Sequence, residues 1–125
     1  GFMSKKNKSD KLMKNLEFLY RELQKEWDES KETKHTVIMT LEEAKKYRKE
    51  MQEYISYYGE LLEQNEDISF KESVGYCKQN YITLRFGRKL ISEYEKAKDS
   101  GEISIKLMLD REEYKLYKEI REAMS

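Results

Sequence analysis

Residues 69–101 read SFKESVGYCKQNYITLRFGRKLISEYEKAKDSG. Phe70, Val74, Cys77, Tyr81, Leu84, Arg88, Ile91 and Glu95 recur at alternating spacings of four and three. That rhythm predicts one continuous helix with a heptad seam. Arg88 and Glu95 are its weak end, where Leu90 and Tyr94 are placed to take over. Ser69 followed by Glu72 reads as a capping box, and Gly101 suits the left-handed position that ends a helix. Gly75 and Gly87 each cost about 1 kcal/mol against Ala and permit a neighbouring helix to come close. A break at Lys78-Gln79-Asn80 would make Phe70–Ile91 a helix-turn-helix with Tyr81–Lys89 as its reading helix. The unbroken seam argues for a single rod.

Upstream, Leu12, Leu16, Leu19, Leu23 and Trp27 form one apolar stripe, which predicts a helix from Ser9 or Asp10 to about Lys31. Gly1-Phe2 is expected to be a vector-derived remnant ahead of a natural start at Met3, with 4–8 a flexible basic tail. Thr36-Val37-Ile38-Met39 is short, apolar and β-branched, and reads as a strand. Thr40-Leu41-Glu42-Glu43 is a second capping box, opening a helix to about Asn65. Its stripe is Leu41, Ala44, Tyr47, Met51, Tyr54/Ile55, Tyr58 and Leu61/Leu62. Downstream, residues 103–109 alternate as a strand does, Asp110 begins a third capping signal, and a last helix turns Tyr114, Tyr117, Ile120 and Met124 inward. Residues 38–47 align with 108–117: an apolar strand, a cap, two glutamates and a helix. Glutamate is favoured at any helix start, so two well-started helices resemble each other without common origin. Residues 103–124 also have the strand and helix of a ribbon-helix-helix unit, but not its second helix.

These elements predict a mainly α protein: an antiparallel bundle of three long helices plus a shorter C-terminal helix, with a small two-stranded β ribbon (36–39, 103–109) at one end. Residues 9–125 form the single helical domain. Pairing of the strands between chains is the alternative, because two strands alone make a marginal sheet.

The chain has 125 residues, of which 40% are charged, and no proline. Collagen-like, proline-rich and turn-rich β architectures are thereby excluded. No apolar run approaches the ~20 residues of a membrane span, so no membrane partner is expected and the location is expected to be cytoplasmic. One Cys makes no internal disulfide, which fits a reducing compartment. Basic and acidic residues number 25 each. They segregate, with seven basic against three acidic over 69–98 and four against eight over 36–68. A neutral total argues against a strong non-specific polyanion binder but leaves room for a basic face.

Chemistry of catalysis is sparse. Cys77 lies on an apolar seam, where a Cys behaves as a small hydrophobe, and His35 sits in a polar linker. One His and one Cys leave no zinc motif, and no Glu-x-x-His pair exists for a di-iron bundle. The acidic cluster Glu60, Glu63, Glu66 and Asp67 lacks calcium-loop spacing, and no glycine-rich phosphate loop occurs. A non-enzymatic protein with no cofactor is expected. The informative stretch is 73–92, which holds four basic residues and no acidic one. Lys71, Lys78 and Arg85 recur every seven residues, with Arg88 and Lys89 nearby and Tyr76 and Phe86 interleaved. Such a face suits phosphates and bases, an acidic protein surface, or a small anionic ligand. Alternatively its charges pair with the acidic second helix. The expectation is a small regulator that acts on a protein partner, host or self, and forms a homo-oligomer. A composition rich in Lys, Tyr, Ile, Glu and Asn suggests an AT-rich genome, and so an accessory regulator or inhibitor carried by a phage or plasmid. Binding of nucleic acid, or sequestration of a small anionic nucleotide, is the alternative.

Overall fold

The computed structural model describes the backbone of residues 2–32, 35–64 and 69–125, with side chains described at 10, 14–28, 31–32, 35–63 and 69–125. Glu66 and Asp67 of the acidic cluster lie outside these residues. In chain order the elements are α1 (Phe2–Ser30), β1 (His35–Thr40), α2 (Leu41–Gln64), α3 (Phe70–Ser100), β2 (Ser104–Leu109) and α4 (Arg111–Met124). The fold is mainly α with a two-stranded antiparallel ribbon, as the apolar periodicities predict.

α3 is one unbroken helix that passes through Lys78-Gln79-Asn80 without a turn, so the helix-turn-helix geometry is absent. The Ser69 side chain accepts the Glu72 N–H at 3.2 Å. At the other end Gly101 has φ 76°, and the Glu102 N–H donates to the Ala97 carbonyl at 2.9 Å. This left-handed residue closes the last turn at a position that glycine occupies without steric cost. α1 begins at Phe2, ahead of the start expected at Ser9 or Asp10.

α3 is the hub: it packs against α1, α2, β2 and α4. α2 runs antiparallel to it, with Met51 against Gly87 and Tyr58 against Tyr76. α1 runs parallel to it, with Phe18 beside Phe70 and Glu22 beside Lys78. β1 pairs with β2 so that Val37 faces Leu107 and Ile38 faces Lys106. The ribbon turns Val37, Met39, Ile105, Leu107 and Leu109 into the core, where they meet Ala44, Tyr47, Met51, Ile82, Phe86, Leu90, Leu116 and Ile120.

The buried side of α3 differs from the 4–3 seam. Ile82, Phe86, Leu90 and Ala97 are buried, whereas Leu84 is 56% exposed and Arg88 and Glu95 face solvent. At 100° per residue, Phe86 and Leu90 lie on the opposite side of the helix from Leu84 and Arg88. The ribbon and α4 cover the first side. They join the core from distant parts of the chain, and a periodicity internal to α3 does not register which apolar face they select. α1 is likewise turned: its buried side carries Glu22 and Glu26 toward α3, and Leu16, Tyr20 and Trp27 remain exposed.

Candidate functional site

The basic residues of α3 divide into two groups. Lys78, Arg85 and Lys89 lie on the side that meets α1 and the start of α4. Lys78 Nζ is 3.3 Å from Glu22 Oε2 and 3.6 Å from Glu26 Oε1. Arg85, only 6% exposed, donates from Nη2 to Asp110 Oδ2 at 2.7 Å. Its Nη1 is 3.8 Å from Glu26 Oε2 and its Nε 3.8 Å from Glu113 Oε2. Lys89 Nζ donates to Glu113 Oε1 at 2.6 Å and to the Met108 carbonyl at 3.1 Å. Their carboxylate partners belong to α1 and to the start of α4, not to the acidic α2 that the sequence offered as the alternative.

The start of α4 explains the geometry. Asp110 and Glu113 form a reciprocal capping box: Asp110 Oδ1 accepts the Glu113 N–H at 2.8 Å, and Glu113 Oε1 accepts the Asp110 N–H at 2.9 Å. Each carboxylate therefore has two duties. Asp110 caps with one oxygen and holds Arg85 with the other, while one Glu113 oxygen receives both a backbone N–H and the Lys89 ammonium. Both acids are fully buried. Burial raises the Glu113 carboxyl above its ordinary value, against the lowering effect of the Asp110 N–H and Lys89. On α1, the hydrogen bond from Lys78, then that from Lys25, holds Glu22 below the usual carboxylate range. This network of three cations and four carboxylates pins α1 and α4 to α3. A buried pair is costly to break, because the surviving charge is left uncompensated in a medium of low polarity.

Lys71 and Arg88 are the exposed members of the candidate basic face. Of its aromatics, Phe86 is fully buried and meets Tyr117 edge-on at 6.5 Å, so it is a core residue. Tyr76 is half-buried and packs on Tyr58 at 5.7 Å. His35 stacks on Tyr114, with ring centroids 4.1 Å apart. The five cations thus do not form one open surface.

An open groove lies between α2 and α3. Its cavity is about 600 Å³, within the range of ligand and peptide clefts. Met51 and Ile55 from α2 and Leu84, Gly87 and Ile91 from α3 supply an apolar floor and walls. The close approach expected of the α3 glycines is not what they serve: a Cβ at Gly87 would make an ordinary 3.8 Å contact with Met51 Sδ, and one at Gly75 would meet nothing within 4 Å. Arg48 and Arg88 line the same groove, both exposed, and neither has an ion-pair partner among the described residues. The 4–3 seam had marked Leu84, Arg88 and Ile91. They share a face, but it lines an opening instead of the core. Arg48 drew no attention in the sequence, because nothing in its local pattern separates it from other charged residues of α2.

Among the described residues no helix is long and apolar enough to cross a membrane. Comparison with protein-family models, with curated proteins and with solved structures finds no match to this chain.

Proposed function

We propose that this protein is a non-enzymatic binding module whose α2–α3 groove takes an amphipathic helix of a partner protein, apolar on one face and acidic along its flanks. The observation that carries the reading is the pairing of an open apolar trough with two uncommitted guanidinium groups, Arg48 and Arg88. Helix-in-groove recognition needs such a trough for its anchoring side chains. Arginine at the rim selects carboxylates through paired N–H donors and disfavours basic competitors. The engagement of Lys78, Arg85 and Lys89 with carboxylates weighs against a phosphate-binding stripe along α3, and so favours a protein partner over nucleic acid.

A displayed library of amphipathic helical peptides tests the reading. Enriched peptides are expected to carry leucine-type anchors with flanking Asp or Glu. Their affinity is expected to fall about tenfold or more in Arg48→Glu/Arg88→Glu, a loss of at least ~1.4 kcal/mol. Leu84→Asp is expected to abolish binding. Failure to enrich, or enrichment indifferent to these substitutions, overturns the proposal. Displacement of the selected peptides by a peptide of residues 10–31 would assign the groove to a second copy, since α1 has Leu16 and Tyr20 exposed with Glu17 beside them.

A further inference from the structure

The two edges of the ribbon are not equivalent. The Leu41 N–H donates to the Ile103 carbonyl at 3.2 Å, which extends the ladder one pair beyond Thr40↔Ser104. In an antiparallel ladder, hydrogen-bonded pairs alternate with non-bonded ones. The bonded pairs are therefore 41/103, 39/105, 37/107 and 35/109, and Thr36, Ile38 and Thr40 on β1 point their N–H and C=O groups outward. Ser104, Lys106 and Met108 do the same on β2.

The β2 edge is protected. The Met108 carbonyl accepts a bond from Lys89, Lys106 places a charge at mid-strand, and α3 packs alongside β2. A lysine at mid-edge is a common guard against strand addition. The β1 edge has no such cover. The Thr40 N–H is taken by Glu43 Oε1 at 3.2 Å, but the N–H and C=O groups of Thr36 and Ile38 have no partner among the described residues. Ile38 is 70% exposed, and residues 36–40 carry no charge.

We infer that β1 pairs antiparallel with β1 of a second copy, giving a four-stranded sheet ordered β2–β1–β1–β2 across a two-fold axis at Val37. This axis brings Thr36 opposite Ile38 of the partner subunit, and the converse, so that all four free groups of each chain are bonded. It is an isologous contact, which closes at two copies. Val37 meets its counterpart on the inner face and extends the apolar layer there. On the outer face Ile38 lies between its own Lys106 and the partner's Thr36. Pairing through β2 would set Lys106 against its counterpart, like charge on like, so the geometry selects β1. This inference is independent of the α2–α3 groove.

Light scattering on the full chain at micromolar to hundred-micromolar concentration is expected to give twice the 15.2 kDa chain mass. Hydrogen exchange at the Thr36 and Ile38 amides is expected to be slowed about tenfold or more relative to a monomer. Ile38→Pro removes an N–H that the internal ladder does not use, and proline is tolerated on an edge in that position. Ile38→Lys leaves the backbone intact and adds a guarding charge. Both are expected to give the single-chain mass and fast exchange at Thr36, with unchanged helical circular dichroism in Ile38→Lys. A wild-type chain that stays monomeric at the highest concentration overturns the inference. So does a dimer that survives Ile38→Lys, or one whose Thr36 and Ile38 amides exchange freely.

Discussion

The two strand-to-helix junctions carry one local sequence plan and meet opposite fates. At β1–α2, Thr40 Oγ1 accepts the Glu43 N–H at 3.1 Å and Glu43 returns a bond to the Thr40 N–H, with both side chains in solvent. At β2–α4, Asp110 and Glu113 make the same reciprocal bonds with neither exposed, and both also hold cations of α3. The residues that the alignment of 38–47 with 108–117 equates also meet in space: Tyr47 stacks on Tyr117 with ring centroids 5.2 Å apart, and the flanking residues Val37 and Leu107 face each other in the ribbon. The two strand-to-helix units thus face each other across the ribbon. What separates them is charge. Asp in place of Thr, with a helix full of cations alongside, converts a surface cap into an internal tie.

The largest effect that would break this comparison is Asp110→Ala. It removes the cap and leaves Arg85 buried without its closest partner, and is expected to cost about 3–5 kcal/mol in urea unfolding. A loss near 1 kcal/mol would place Asp110 with ordinary surface caps. Thr40→Ala, the matched change at the other junction, is expected to cost about 1 kcal/mol by the same measurement.

The third prediction concerns pH. Burial raises Glu113 above its ordinary value of 4.5, so between that value and the raised one the folded protein holds a proton that the unfolded chain has released. The folded state then binds more protons, and stability falls as pH rises through that window. Melting temperatures of the wild type are expected to show this decline, and those of Glu113→Gln to lack it. Glu22 acts in the opposite sense: its lowered carboxyl contributes stability above the ordinary value, which is lost as pH falls through the lowered one. The smallest effect is expected from Glu43→Ala, a loss of about 0.5 kcal/mol that chemical denaturation resolves only marginally; a loss as large as that of Asp110→Ala would erase the distinction between the two junctions.

Much of the fold was legible because it rests on local rules. The caps at Thr40, Ser69 and Asp110 and the stop at Gly101 are decided within a turn of chain, and their residues announce them. The ribbon followed from two alternating segments placed at one end by three long helices. What escaped was rotational. The apolar residues of α3 occupy two faces, and only the arrival of β2 and α4 decides which is buried, so Leu84 and Phe86 exchanged the places that the seam assigned them. The second duty of Asp110 was invisible because Arg85 lies 25 positions away in sequence. The groove was legible in part, through the Leu84–Arg88–Ile91 stripe. Arg48 joins it only once α2 and α3 lie side by side.

The ribbon also bears on the order in which this chain assembles. Thr40 and Ser104 are neighbours in the sheet, yet residues 41–103 lie between them. Closing so long a span is entropically unfavourable unless something shortens it first. The antiparallel α2–α3 pair does so by folding the intervening chain back on itself. Strand pairing therefore belongs to a late event on the route to the native state, after the helical hairpin. With no proline in the sequence, no prolyl isomerisation slows that last step, and its rate reports the search for strand register directly.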